Sequence, residues 1–412
     1  MTPNRRFRAL SRPGAGRGAA RPVIAVTGAA SPAGRAVLRQ LLSRMGTDPD
    51  GSAGRTDRSS TDRSSTGLRP KQLVAIDAPD RTDAELMAAD RACGVHWRHA
   101  DIASPEVADS LTGVDVVVHL ATADDLGIVL SQPAAERRVR AVRAAQAVTT
   151  AAAAVGAQRL IVVTSAMIFG ARPDNPVPLP DDADGRADPD DGLIGDLLEV
   201  ERVLERIPRV HPALSLTVIR PAALVGPGVD SAVTRHFEAP RLLVLRGAST
   251  RWQFCHVDDL ASAVWTALDL GLDGWLTAGS VDSLAEDDVE RLSGMRRLEV
   301  PAGLAFSTAE RLHRVGVLPT PASELAYVVH PWVIGSATLS AAGWTPSHDN
   351  EACLRELLDE VSGRRTVVGR RVDRRDAAMG AAGAAVALVG TAAILRQARS
   401  RQTRRRRATP EP

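Results

Sequence analysis

A glycine-containing turn near the start of the sequence has the residue types of a phosphate-binding loop. Thr27 and Gly28 follow the apolar, β-branched run 23–26, and Gly34 opens a segment with helical apolar spacing. Small residues let the backbone approach a ligand closely, and the amides at a helix N-terminus attract a pyrophosphate. The order of strand, turn and helix therefore predicts a dinucleotide site.

An acidic residue closes the second predicted strand. Asp77 follows the apolar run 73–76. A carboxylate at this position accepts hydrogen bonds from the ribose of adenosine and repels a 2′-phosphate, which favours NAD over NADP. The alternative is a polar strand-end residue that contacts no ligand. The glycine turn before it favours the cofactor role for Asp77.

Two residue types that often transfer protons are almost missing, because Lys71 is the only lysine and Tyr327 the only tyrosine. The cysteines Cys93, Cys255 and Cys353 are far apart and lack a CxxC spacing. Such spacing predicts neither a disulfide framework nor a metal site, and it is typical of a reducing compartment. We therefore expect a cytoplasmic protein without a bound metal.

Several segments predict a layered α/β fold. The runs 73–77, 114–121 and 160–165 are nearly all apolar, as in parallel strands covered on both faces, and the alanine-rich stretch 135–155 between two of them predicts a helix. Strands alternating with helices predict a doubly wound parallel Rossmann sheet. We expect the NAD-binding domain over 22–228, and a small C-terminal substrate lobe with sheet-completing elements over 229–363.

Charge is distributed unevenly, although the whole chain has a formal net charge of +2. Residues 1–21 contain six arginines and no acid, and residues 364–412 contain thirteen arginines against three acids. We expect 1–21 to be a disordered basic N-terminus and the polar stretch 46–70, with its tandem TDRSS, to be a disordered insertion. The part between the two basic ends is acidic, so specific nucleic-acid binding is not expected.

The basic tail contains an uncharged segment, 377–395, between two groups of arginines. Nineteen such residues can span a bilayer, but alanine and glycine provide a weak drive for insertion. A spanning helix, a tail lying on an anionic membrane surface, a disordered tail and a solvated basic tail without a partner all stay open. We expect 364–412 to mediate any membrane association.

Six segments in order resemble one known family. They are TGAASPAG (27–34), ADI (100–102), GVDVVVHLAT (113–122), VVTSAMIFG (162–170), IRPAALVGPG (219–228) and FCHVDDLASAV (254–264). Over about residues 22–360 the chain resembles the extended short-chain dehydrogenase/reductases, the NAD-dependent epimerase/dehydratase group that includes enzymes like UDP-galactose 4-epimerase.

The resemblance implies NAD as cofactor and names the residues that hold it. The turn from Thr27 to Gly34 holds the pyrophosphate, with Ser31 in place of the family's middle glycine. Asp77 binds the adenosine ribose. The remaining cofactor contacts implied by the resemblance are Asp101 and Ile102 at the adenine, and Leu120 and Ala121 along the cofactor. Ser165 occupies the position of the family's active-site hydroxyl and is the predicted catalytic residue.

One departure from the family concerns proton transfer. The family carries Tyr-x-x-x-Lys on a helix, where the tyrosine moves the proton and the lysine lowers its pKa. The matching helix here, 193–201, places Leu193 at the tyrosine and Leu197 at the lysine. The sequence therefore predicts an NAD-binding protein that is catalytically degenerate or atypical. The alternative is an active, divergent oxidoreductase or epimerase acting on a nucleotide-sugar or another hydroxyl substrate.

Two further expectations follow from the same helix. An active enzyme would need a proton acceptor from elsewhere, and Asp196, Glu199 and His119 are the candidates near the site in sequence. The resemblance also implies a homodimer formed through the helices at about 135–155 and 190–206. The substrate lobe is too weakly patterned to identify the ligand.

Overall fold

The structure is a computed structural model, and it describes residues 21–45, 68–121, 126, 132–190, 192–315 and 321–368. Most of the basic N-terminus, of the insertion 46–70 and of the basic tail lies outside these residues. The predictions made for those segments, including the apolar segment 377–395, therefore stay predictions.

Seven of the described strands form one parallel sheet, in the order β3, β2, β1, β4, β5, β6, β11. The central strands β1, β2, β4, β5 and β6 are largely apolar and almost fully buried, because helices cover both faces, whereas the edge strand β3 is polar and mostly exposed or partly buried. The prediction of a doubly wound Rossmann sheet is confirmed. The strands are β1 Val23–Thr27, β2 Gln72–Asp77, β3 Val95–His99, β4 Val116–Leu120, β5 Arg159–Val163, β6 Ser215–Pro221 and β11 Gly274–Ala278.

Helices lie on the two faces and in the C-terminal part. The α-helices are α1 Pro32–Met45, α2 Ala84–Ala92, α3 Val107–Ser110, α4 Ala134–Ala154, α5 Leu193–Leu204, α6 Ile207–Val210, α7 Ala232–His236, α8 Val257–Asp269, α9 Glu286–Ser293, α10 Ala302–Arg314, α11 Ala326–Val329, α12 Ala337–Ala341 and α13 Asn350–Val368. Short 3-10 helices span Pro79–Arg81, Ala166–Phe169 and Ala322–Leu325.

The two faces of the sheet carry separate apolar cores. Helices α1 and α8 pack along each other on one face, and α3 and α4 cover the other. Arg39 of α1 also pairs with Asp258 of α8, with 3.0 Å between Nη2 and Oδ1. Helix α5 packs on α4 and contributes residues to both cores. One side of α5 therefore packs in the first core and its other side packs in the second core.

Three small two-stranded sheets lie outside the main sheet. Strands β7 (Ala223–Val225) and β10 (Phe254–His256) pair in parallel, as do β8 (Leu242–Leu245) and β13 (Arg297–Val300). Strands β9 (Arg251–Trp252) and β12 (Leu284–Ala285) are antiparallel. Strand β11 comes from the same stretch of chain but joins the main sheet beside β6. Over the described ranges, no helix has both the length and the apolar character needed to cross a membrane.

Candidate active site

The glycine turn after β1 is closely packed, and it leaves no room for a side chain at Gly34. Gly28 has φ +76°, and its amide donates to the Ile76 carbonyl at 3.0 Å. A Cβ on Gly34 would lie 2.3 Å from the Gly28 oxygen and 2.8 Å from the Ala29 Cα. The hydroxyl of Ser31 accepts from the Gly34 amide at 3.1 Å. Helix α1 therefore begins directly against the turn, the geometry that suits a pyrophosphate at a helix N-terminus.

Asp77 holds this turn through its carboxylate. Oδ2 accepts from the Ala30 amide at 3.0 Å, and Oδ1 accepts from the Ala78 amide at 2.9 Å. The residue is only 2 % exposed, and Arg81 Nε lies 3.7 Å from Oδ1. Asp77 thus has a structural contact that the sequence analysis did not foresee, and its role at the adenosine ribose stays a prediction.

Of the other predicted cofactor residues, Leu120 lies against the turn, and the contacts of Ala121, Asp101 and Ile102 are with other parts of the fold. A Cβ on Gly28 would be 3.2 Å from the Leu120 Cβ, so Leu120 lies against the turn. The Ala121 amide donates to the Val163 carbonyl at 2.9 Å and continues the end of β4. Asp101 lies beyond the end of β3 and its Oδ1 accepts from Arg140 Nη2 at 3.0 Å. Ile102 is partly buried against the second apolar core. The roles of Asp101 and Ile102 at the adenine stay predictions.

His119 belongs to the core below the turn. Its Nδ1 is hydrogen-bonded to Thr27 Oγ1 at 2.8 Å, and both groups are buried. Burial lowers the pKa of His119 to about 4. The imidazole is therefore a weak base, its Nδ1 is already hydrogen-bonded, and His119 is not among the residues that line the cavity of Ser165.

Ser165 lies at the carboxyl end of β5 and lines a cavity of about 60 Å³. Its Oγ accepts from the Met167 amide at 3.2 Å and caps the 3-10 helix Ala166–Phe169. Leu193 and Leu197 of α5 line the same cavity. The structure therefore brings the hydroxyl and the two leucine positions together, and the α5 wall facing Ser165 is apolar.

The other side of α5 carries a buried ion pair. Arg220 Nη2 donates to Glu201 Oε2 at 2.7 Å, and Thr164 Oγ1 donates to Glu201 Oε1 at 2.7 Å. Trp275 Nε1 adds a longer contact to Oε2 at 3.3 Å. Because a buried charge is costly unless it is paired, this network fixes α5 against β5, β6 and β11.

The two acidic candidates on α5 are also engaged. Asp196 is buried and accepts from Arg137 and from Arg138 Nε, the latter at 2.9 Å. Glu199 is partly exposed and pairs with Arg202 on the same helix. Both acids are therefore paired with arginines, and neither is among the residues that line the cavity of Ser165.

Glu324 is the titratable residue of the cavity that sequence reasoning missed. It lies in the 3-10 helix Ala322–Leu325 and lines the cavity with Ser165. Its Oε1 accepts from the Leu193 amide at 2.8 Å, across 131 residues of sequence. Burial raises the pKa of Glu324 to about 7, against the opposing hydrogen bond from Leu193. Nothing in the surrounding sequence PASEL signals this contact.

In the part of the chain that the structure describes, no group of three or more His, Cys, Asp or Glu side chains could hold a metal ion. The three cysteines are free thiols, and burial raises the pKa of Cys255 and of Cys353.

Sequence comparison shows one family match and several distant relatives. The profile of the NAD dependent epimerase/dehydratase family matches residues 24–274. Uncharacterised proteins of Mycobacterium tuberculosis and Mycobacterium bovis are 25 % identical over 232 residues, which is 56 % of this chain and 61 % of theirs. The chain thus spans less than two thirds of these relatives.

Solved structures with this fold cover most of the chain. The UDP-glucose 4-epimerase of Thermus thermophilus, solved in complex with NAD, has a TM-score of 0.57 and 17 % identity and covers 83 % of this chain and 99 % of its own. The dTDP-glucose 4,6-dehydratase DesIV of Streptomyces venezuelae, solved with NAD bound, has a TM-score of 0.60 and 16 % identity, covering 84 % and 98 %. Both likenesses concern the fold.

Proposed function

The chain belongs to the NAD-dependent epimerase/dehydratase family, and we propose that it binds NAD at the carboxyl edge of its sheet and a small molecule in the cavity of Ser165. The observation that carries the proposal is the shared cavity of Ser165, Leu193 and Leu197. It supports a family site that has kept the ligand-positioning hydroxyl and lost the usual proton-transfer pair.

The residues present fit NAD at the glycine turn. The close approach of Gly34 to Gly28 leaves the start of α1 against the turn, where the helix N-terminus can hold the pyrophosphate. Asp77 would bind the adenosine ribose, and Leu120 would line the cofactor. Bound NAD supplies the exchange of a hydride with a carbon of the ligand.

The cavity indicates the kind of ligand in general terms. Its walls are largely apolar, with Ser165 and Glu324 among its polar groups. A hydroxyl or carbonyl compound fits this pattern, because Ser165 can hold the oxygen while the leucines contact the carbon skeleton. The leucines also favour a second version of the function, in which NAD and a ligand bind without turnover.

Two broader features complete the proposal. Helices α4 and α5 pack on each other and are the surface proposed for a homodimer. The arginines of 364–412 are proposed to attract the tail to anionic lipid, at about 1 kcal/mol for each arginine near the surface.

The cofactor assignment is tested at Asp77. Purified protein should bind NAD more tightly than NADP, and Asp77→Asn should weaken NAD binding by about tenfold, because one charged hydrogen bond is lost. Isothermal titration calorimetry with both nucleotides measures this. Asp80→Asn, an exposed acid three residues further on, is the matched control and should bind NAD like the wild type. Equal or tighter binding of NADP by the wild type would refute the role of Asp77.

A further inference from the structure

We infer that Glu324 is the group that accepts and returns the ligand's proton in the cavity of Ser165. The inference rests on the proposed function and replaces the missing tyrosine with a carboxyl from a distant part of the chain. Glu324 reaches the cavity from the 3-10 helix Ala322–Leu325 and bonds the backbone amide of Leu193. Its carboxyl thus lies at the wall of the cavity of Ser165, beside the backbone of the residue that stands at the family's tyrosine position.

The surroundings of Glu324 suit a proton acceptor. The residue is 5 % exposed, and the carboxylates of Asp190 and Asp196 disfavour its charge while Arg137 favours it. Burial is the largest influence, and together these bring its pKa to about 7. A general base is most effective when its pKa lies near the working pH. The Leu193 amide bonds to Oε1, so we assign the proton transfer to the other carboxyl oxygen, Oε2.

The other titratable groups near the cavity already form hydrogen bonds or ion pairs with neighbouring residues. Tyr327 donates its hydroxyl to the Met167 carbonyl at 2.7 Å, and burial raises its pKa. Asp196 accepts from two arginines, and Glu201 accepts from Arg220 and Thr164. Glu324 differs from these because its described hydrogen bond comes from a neutral amide.

The proposed step balances without a further reagent. The ligand's hydroxyl gives its proton to the Glu324 carboxylate while the hydrogen on the same carbon leaves with its electron pair as a hydride to NAD⁺. The carbon becomes a carbonyl and Glu324 becomes a neutral acid. In the reverse direction the acid returns the proton to the carbonyl oxygen. Ser165 positions that oxygen by hydrogen bonding.

The first test needs no substrate and uses Glu324→Gln. Glutamine keeps the acceptor for the Leu193 amide but cannot titrate. Because the folded-state pKa of Glu324 is raised above its ordinary value of 4.5, wild-type protein should lose stability as pH rises from about 5 through about 7. The melting temperature of Glu324→Gln should therefore match the wild type near pH 5 and exceed it near pH 8. The exposed substitution Glu299→Gln should show no such change.

The second test measures turnover and NAD binding together. UDP-glucose, a hydroxysteroid and cyclohexanol are each incubated with NAD⁺ and the full chain while nicotinamide absorbance is followed. Turnover by the wild type should fall by about 10²–10⁴-fold in Glu324→Gln, the usual worth of general base catalysis, with NAD affinity unchanged. Undiminished turnover in Glu324→Gln, no turnover of any probe by NAD-loaded wild type, or no pH-dependent gain in stability would overturn the inference. Failure of the wild type to bind NAD would instead refute the proposed function.

Discussion

The glycine turn and the cavity of Ser165 lie at the same edge of the sheet but are built differently. At the turn, the closest contacts join residues of one strand-turn-helix unit and of the next strand, such as Gly28, Gly34 and Asp77. The cavity is assembled from β5, α5 and a 3-10 helix more than a hundred residues further along the chain. The glycine turn therefore depends on contacts between residues that are close in sequence. The cavity of Ser165 depends on the packing of elements that are far apart in the sequence.

The largest expected effect concerns what holds α5 in place. Glu201→Ala leaves the Arg220 guanidinium buried without its charge partner, which typically costs about 3–5 kcal/mol of unfolding free energy. Glu199→Ala on the same helix removes only a partly exposed pair with Arg202, worth about 0.2–1 kcal/mol. Urea unfolding of both variants measures the difference. Equal losses would mean that the buried network does not fix the cavity wall.

A smaller effect is expected at the turn. Gly34→Val would place a side chain within 2.3 Å of the Gly28 oxygen, and backbone cannot yield there as a flexible side chain would. Overpacking of this kind costs about 1–3 kcal/mol, and the distorted turn should lose most NAD affinity. Gly303→Ala is the control, since a Cβ there meets nothing within 4 Å. Wild-type NAD affinity in Gly34→Val, measured by calorimetry, would contradict the close-packed turn.

The smallest effect is expected at Ser165. Ser165→Ala removes the acceptor for the Met167 amide and should cost about 1 kcal/mol, as at other helix caps. NAD affinity should stay unchanged, because the turn is built separately from the cavity. Ser165→Thr keeps a hydroxyl and should retain the stability. If Ser165→Ala lowers NAD affinity as much as Gly34→Val does, the two regions are not independent.

The sequence predicted β1, β2, β4 and β5, because a strand buried on both faces is a continuous apolar run. Strands β3 and β11 are not such runs and were not predicted. The grouping of Ser165 with Leu193 and Leu197 was also predictable, because both segments keep the order of the family motifs. The place of Glu324 in the cavity was not predictable. Its contact with Leu193 depends on how the segment around residue 324, which has no clear pattern, packs against α5. The ion pairs of Asp196 were not predictable either, because its partners, Arg137 and Arg138, lie on another helix.

The packing of α1 along α8 has a consequence for how the molecule unfolds. Helix α1 starts at the turn, and α8 starts directly after His256, which caps it and is the last residue of β10. Their apolar residues share one core, and Arg39 and Asp258 join them at the surface. We therefore expect the sheet and the C-terminal part to unfold together, because neither can lose the shared core alone. By mass action, NAD bound at the turn should then raise the melting temperature of both parts.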